Sequence, residues 1–313
     1  MPEGPEVKRC ADLIRSVAEK CTIKSIESLS DRGKFASLDL GDLQFPLNVR
    51  KVVSYGKVIY FKLAAGGYLR STLGMSGWWY PPVDQLSEKE QNLSLYFDRS
   101  GENISTKDFI TKALKNARFV MNFMNGNKLY YVDQRNFGNF KAITQDELVS
   151  QRDKLGVDPL SIDDEELIFL TLLNTRKKNL TLGEYLLDQS ELCGIGNIYR
   201  AECMYLSGLS PHRLVGSLTR DEITRFAIVC YYVLNNAYNT NSAMRYSVDW
   251  LDKNSSLATH AKWSQVLDHF KTSDNRTIPG HLAYSRKLDI FGDQVKSETF
   301  KGRTLWWVPS LQH

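Results

Sequence analysis

The stretch Leu155-Gly156-Val157-Asp158-Pro159-Leu160 divides the chain into halves that obey different periodicities. A glycine and a proline within six residues interrupt any regular element. Upstream, from Thr22 to about Ile143, apolar residues fall into short runs separated by turn residues, as in Ala36–Leu40, Val58–Leu63, Leu93–Phe97 and Lys128–Val132. That pattern predicts strands. Downstream, Asp163–Leu173, Leu180–Leu187, Asn197–Leu206 and Thr219–Tyr238 repeat at the helical period. The expected class is α+β. An N-terminal β-sandwich with flanking helices fills residues 1–145, residues 146–160 form a linker, and residues 161–313 form a helical domain.

Each half carries an exception. Pro2, Gly4 and Pro5 punctuate the start of a first helix whose Glu3 and Glu6 suit the positive end of its dipole. Its buried face is predicted from Val7, Cys10, Leu13, Ile14 and Val17. A second helix opens near Ser105, Lys107 and Asp108 and runs through Phe109, Ala113, Leu114 and Phe119. The helical half ends in two predicted strands, Leu282–Ile290 and Arg303–Val308, with Phe291-Gly292-Asp293 as turn.

Composition narrows the class of function. Hydrophobic residues make up 42% and charged residues 24% of the 313, values of an ordinary soluble protein. No apolar run approaches the roughly 20 residues that span a bilayer, and MPEGPEVKRC has no signal-peptide core. The expectation is an intracellular protein of nucleus or cytoplasm, not secreted. Cys10, Cys21, Cys193, Cys203 and Cys230 are odd in number and form no CxxC, which argues against disulfides and a thiolate zinc site. The five histidines stand apart, so neither metal nor cofactor is expected. A net charge of +4 is too mild to define a partner.

Six segments carry chemistry-bearing patterns. Removal of Met1 ahead of a small residue leaves Pro2 with a free secondary amine, partly unprotonated near neutral pH. Such an amine converts an aldehyde-like carbon directly into an iminium, with Glu3 and Glu6 near enough to move protons. The same three residues would equally well begin a helix and do nothing more. Met75, in Leu73-Gly74-Met75-Ser76-Gly77, and Arg135 and Phe137, in Asp133-Gln134-Arg135-Asn136-Phe137-Gly138, sit at predicted loop tips. Arg135 and Phe137 would point the same way if that segment is extended. They are either core and surface residues or wedges that fill the gap left by an extruded base. Gly194-Ile195-Gly196-Asn197 opens a helix, and its N–H groups suit an anion; Asn197 would add a side-chain donor. Arg176-Lys177-Lys178 either steers phosphate or lines a solvated helix face. Arg303, in Lys301-Gly302-Arg303-Thr304-Leu305-Trp306-Trp307, is placed at a hairpin tip, with one tryptophan facing the core and the other shielding the hairpin.

Taken in order, PEGPEV (2–7), Gly56-Lys57, LGMSG (73–77), DQRNFG (133–138), LGVDPL (155–160), LLDQ (186–189), GIGNIYRAE (194–202) and GRTLWWVPSLQ (302–312) resemble the formamidopyrimidine-DNA glycosylase and endonuclease VIII family along nearly the whole chain. The resemblance implies a helix–two-turn–helix motif near 180–206 and a DNA-binding β-hairpin finger near 282–313. It implies that Pro2 attacks C1′ of the damaged nucleotide, that Glu3 assists sugar opening and elimination, and that Glu6 supports it. Lys57 holds phosphate beside the lesion, Met75, Arg135 and Phe137 fill the void, and Asn197 and Arg303 grip DNA. The implied reaction is base excision and strand cleavage through a covalent imine and β,δ-elimination, by a monomer acting on damaged DNA, duplex or single-stranded.

Three departures modify that picture. Family fingers usually hold zinc through four cysteines, whereas Val308 and Leu311 stand where the last two fall, and Tyr284–Val295 has none. The chain resembles the zincless-finger branch, with Ile290, Val295, Leu305 and Val308 replacing the metal. Ser190 stands where purine-specific bacterial members carry a lysine, and 242–280 lacks the glycine-serine pattern of a purine-capping loop. Both changes favour oxidised pyrimidines and hydantoins over 8-oxoguanine. The alternatives are an 8-oxoguanine-preferring glycosylase and a catalytically silent lesion-sensing protein of the same fold.

Overall fold

The computed structural model describes residues 2–31, 33–86, 96–97, 103–240, 245–253 and 277–313. Two compact units emerge. One contains residues 6–153 with Pro2; the other contains Lys154–His313 together with Glu3–Pro5.

In the first unit, helix α1 (Gly4–Ala18) precedes strands β1 (Thr22–Ser28), β2 (Leu47–Tyr55), β3 (Val58–Leu63), β4 (Tyr68–Thr72) and β5 (Gly77–Tyr80). The short pair β6 (Tyr96–Phe97) and β7 (Asn103–Ile104), helix α2 (Thr106–Leu114), strands β8 (Ala117–Phe123), β9 (Lys128–Asp133) and β10 (Asn139–Ile143), and helix α3 (Gln145–Arg152) follow. Eight strands join in the order β10-β4-β3-β2-β1-β8-β9-β5, every pair antiparallel. The β1–β2 seam holds only two register pairs, Thr22 with Asn48 and Ile23 with Leu47.

The sheet folds about that seam, because aromatic side chains from its two ends meet. Phe140 of β10 lies 5.7 Å from Trp79 of β5 and 4.7 Å from Phe119 of β8, and Phe61 of β3 lies 5.7 Å from Trp79. Burying such rings contributes both area and edge-to-face geometry. The Trp79 indole N–H donates to Ser71 Oγ at 3.1 Å, so the ring is buried without an orphaned donor. Helix α1 seals this core with Val7, Cys10, Ala11, Ile14 and Ala18, while Leu13 and Val17 are only half-buried. Helix α2 packs Ile110 against Tyr80 and Val132, and Leu148 of α3 packs beside Tyr60, Tyr68 and Ile143, so the helices flank the sandwich.

Several expectations shift. Residues 36–40 form turns with one isolated bridge at Asp39, not a strand. Helix α2 stops at Leu114, and Phe119 belongs to β8, where the sandwich core overrides the helical spacing. Residues 93–95 of the predicted Leu93–Phe97 strand lie outside the described residues. The span expected as a linker begins with α3, capped by a reciprocal Thr144–Glu147 box.

The second unit comprises α4 (Glu166–Asn174), α5 (Leu182–Tyr185), α6 (Asn197–Ser207), α7 (Arg220–Asn239), β11 (Arg245–Ser247), α8 (Val248–Lys253), β12 (Thr277–Pro279), β13 (Lys296–Phe300) and β14 (Arg303–Trp307). Its spine is α7, which buries Phe226, Cys230, Val233 and Leu234 against α4 and α6. The opening stretch has a tertiary reason for its glycine. Residues 156–157 pair with 189–193, and a Cβ at Gly156 would lie 2.0 Å from the Glu191 carbonyl oxygen.

The C-terminal hairpin differs most from expectation. Its strands are β13 and β14, joined through Lys301 and Gly302 at φ +50° and +73°, the left-handed values a two-residue primed turn requires. Segment 282–290 is not a strand; Asp289 instead accepts from the N–H groups of Phe291 and Asp293 and closes a small loop. Leu305, Val308 and Val295 are buried with Ile290 packed against them. Trp306 and Trp307 are both half-buried, so neither is a core tryptophan.

Candidate active site and nucleic-acid interface

The two loops expected to carry wedges are locked together inside the first unit. Gly74, at φ +56°, approaches the second loop so closely that a Cβ would lie 2.4 Å from the Phe137 carbonyl carbon. A Cβ at Gly138 would lie 1.7 Å from the Tyr131 hydroxyl, and one at Gly77 2.4 Å from it. That hydroxyl donates to the Thr72 carbonyl at 2.9 Å, and burial raises its pKa further above the ordinary tyrosine value. The fully buried Asp133 accepts from Ser76 Oγ (2.6 Å), the Gly138 N–H (2.7 Å) and the Arg135 N–H (3.2 Å).

This frame presents Met75 and Phe137 to solvent at 43% and 58% exposure. Arg135 Nη1 lies 3.9 Å from Met75 Sδ, so the structure brings these two side chains together. Segment 134–138 is a turn with Asn136 at φ +57° rather than an extended strand, which corrects the expected reason for their projection. Lys57 occupies the two-residue turn between β2 and β3, after Gly56 at φ +55°. Glu6 accepts from Arg9 Nη2 at 3.3 Å, and Pro2 is half-buried.

In the second unit the anion expected at the Gly194–Asn197 turn is internal. The Glu3 carboxylate, 1% exposed, accepts from the N–H groups of Gly196 (2.8 Å), Ile198 (2.9 Å) and Tyr199 (3.3 Å). Gly4 N–H also donates to the Gly194 carbonyl at 2.8 Å. Thus Glu3, some 190 positions earlier in the chain, caps the N-terminus of α6, whose positive end complements the carboxylate. A Cβ on Gly196 would sit 2.4 Å from the Glu3 carboxyl carbon, so only glycine leaves room.

Asn197 holds a second set of bonds. Its Nδ2 donates to the Thr304 carbonyl of β14 at 2.7 Å, and its Oδ1 accepts from Arg200 Nη2. Arg303, adjacent on β14, is exposed. Lys301 Nζ lies 2.9 Å from Glu184 Oε1 of α5 and is the first cause holding that carboxyl at about 2. Lys177 is committed elsewhere, to Asp188 Oδ2 (2.6 Å), Glu191 Oε1 (3.4 Å) and Ser190 Oγ, so of the Arg176–Lys178 run only Arg176 and Lys178 are exposed.

Three residues escaped the sequence reading. Asp133 and Arg200 lay inside motifs already singled out. Glu202 is fully buried and accepts from the Tyr246 hydroxyl (2.6 Å) and the N–H groups of Leu282, Ala283 and Tyr284 (2.8–2.9 Å). The available signal was a charge set among the apolar residues Ala201, Cys203, Met204 and Leu206 of α6, which requires buried partners. Residues 242–244 and 254–276 of the expected capping region lie outside the described residues.

Comparison with known proteins gives the class. The family model described as the formamidopyrimidine-DNA glycosylase N-terminal domain matches residues 1–140, and that described as the formamidopyrimidine-DNA glycosylase H2TH domain matches residues 155–247. A formamidopyrimidine-DNA glycosylase of Rippkaea orientalis is 30% identical over 242 residues, covering 76% of this chain and 79% of its own. That of Bradyrhizobium sp. strain BTAi1 is 26% identical over 336 residues and covers all of both. The Lactococcus lactis enzyme in complex with DNA containing an abasic site superposes with a TM-score of 0.68 over 99% of both chains, at 20% identity, which speaks to the fold. The chain belongs to the formamidopyrimidine-DNA glycosylase family. Among the described residues, no helix is long and apolar enough to cross a membrane.

Proposed function

We propose that the chain is a bifunctional DNA glycosylase and AP lyase that removes oxidised bases, with pyrimidine and hydantoin lesions preferred. The observation that carries this reading is Glu3, a carboxylate buried next in sequence to Pro2 and fixed by three backbone N–H groups. Burying a carboxylate is costly, and a protein that only bound DNA would have no use for a rigid acid beside its N-terminal amine. Solved Lactococcus lactis relatives are complexes with DNA containing an abasic site, a formamidopyrimidine or an oxidised pyrimidine, which supports the substrate class.

The chemistry follows from that pair. With Met1 removed, the Pro2 nitrogen bonds to C1′ as the glycosidic bond breaks, and the base departs with the bonding electrons and takes a proton from solvent water. Glu3 takes the amine proton and returns it to O4′ as the C1′–O4′ bond opens to an iminium. Loss of a C2′ proton to water then expels the 3′ phosphate, a second elimination expels the 5′ phosphate, and water hydrolyses the remaining iminium, which releases the sugar remnant and frees Pro2. Lys57, Asn197 and Arg303 would hold the backbone through phosphate, while Met75, Arg135 and Phe137 would replace the extruded nucleotide. Zinc independence of the finger is supported by the apolar packing of Val295, Leu305 and Val308.

The test is product analysis on defined lesions in duplex and single-stranded oligonucleotides. The expected product is a one-nucleotide gap with phosphate at both ends, formed fastest on oxidised pyrimidines or hydantoins. Faster cutting at 8-oxoguanine would overturn the preference. Binding without any cleavage would establish the silent sensor instead.

A further inference from the structure

Among the described residues, Arg200 is the most heavily buried cation of the second unit, and the proposed reaction does not use it. It lies in the first turn of α6 with no exposed surface, an expensive place for a guanidinium. Nη1 donates to the Gly183 carbonyl at 3.1 Å. Nη2 donates to Asn197 Oδ1 and, at 3.4 Å, to the Thr304 carbonyl. Nε is buried with no hydrogen-bond partner. Burial, then repulsion from Arg303, lowers the Arg200 pKa to about 10, so the group stays charged at neutral pH. A buried, incompletely satisfied cation beside a second arginine does not serve stability well, so another role must account for it.

Asn197 supplies that role. A guanidinium can only donate hydrogen bonds and a carbonyl can only accept them. Arg200 therefore fixes Oδ1 of Asn197 towards itself, and Thr304 independently fixes Nδ2 towards β14. Without those partners the amide could turn over about its terminal torsion, which is broad and nearly two-fold, and would present an oxygen to a phosphate. We propose that Arg200 is a positioning residue that locks the amide of Asn197 with its second Nδ2 hydrogen available to a DNA phosphate. The proposal rests on the reading of Asn197 as a phosphate contact. Glu3 takes the N–H groups of Gly196, Ile198 and Tyr199 but not that of Asn197, so backbone and side-chain donors of one residue can serve one anion.

The experiment is a binding cycle on the full chain, using a duplex with a tetrahydrofuran abasic analogue at fixed salt. Arg200→Met and Asn197→Ala should each weaken binding about tenfold, the range for one charge-assisted contact. The double variant should bind within about twofold of Asn197→Ala alone, because Arg200 acts only through that amide. Arg200→Lys keeps a donor for Oδ1, guards against misfolding of the methionine variant, and should recover part of the loss with the same dependence on Asn197. If the Arg200 losses multiply with that of Asn197→Ala, Arg200 acts by another route and the inference fails while the phosphate reading stands. If Asn197→Ala binds like wild type, the phosphate reading itself fails and the inference falls with it.

Discussion

Asp133 holds together the two loops that carry Met75, Arg135 and Phe137. Its carboxylate joins Ser76, Arg135 and Gly138, so Asp133→Ala would strand several donors inside the protein. That change should cost about 2–4 kcal/mol, measured by urea unfolding. It should also weaken lesion binding while leaving Met75 and Phe137 chemically intact. Unchanged stability would show that the glycine contacts alone hold the loops. Met75 and Phe137 were legible as exposed loop residues because short patterns mark them. Asp133 and Arg200 were not, because a buried charge is explained only by partners that the fold brings in, such as Gly183 and Thr304 for Arg200.

Among the elements, the long periodic helices were legible, and so were the short strands β3 and β9, predicted as Val58–Leu63 and Lys128–Val132. Helices α6 and α7 follow their predicted spans within a residue or two, because many apolar positions repeat the period. The hairpin was misplaced, since Phe291-Gly292-Asp293 is a real turn signal belonging to the loop that Asp289 closes, whereas Lys301-Gly302 supplies the strand turn. The hairpin core makes its own prediction. Leu305, with no exposed surface, should cost about 2–5 kcal/mol on truncation to alanine. The purified wild-type protein should contain well under one equivalent of zinc, and chelators should leave its activity unchanged. Stoichiometric zinc would contradict an apolar finger.

At the scale of the whole molecule, paired carboxylates contribute stability that acid removes. Glu222 caps α7 and is gripped at both oxygens by Arg213, at 2.9 and 3.1 Å. The Arg213 hydrogen bonds chiefly lower its pKa from 4.5 to about 2. A carboxyl depressed in the folded state stabilises above its unfolded pKa, and that contribution drains away as pH falls through the folded value. Glu222→Gln should therefore be less stable than wild type at pH 6, with the difference shrinking from pH 4.5 towards 2. Parallel stability curves across that window would remove Glu222 from the account. The overall fold class was readable from the change of period at residues 155–160. The joining of Glu3 to the Gly194–Asn197 turn was not, because no local pattern links positions so distant in sequence.

The claim on which everything else depends is that the Pro2 nitrogen forms a bond to the damaged sugar. Borohydride reduction during reaction with lesion-bearing DNA measures it directly, once mass spectrometry has shown that Met1 is absent. The wild-type protein should be trapped as a covalent complex attached through residue 2, and Pro2→Gly should lose most of that product. No trapped complex from wild-type protein lacking Met1, or undiminished trapping by Pro2→Gly, would contradict the assignment of Pro2 as nucleophile.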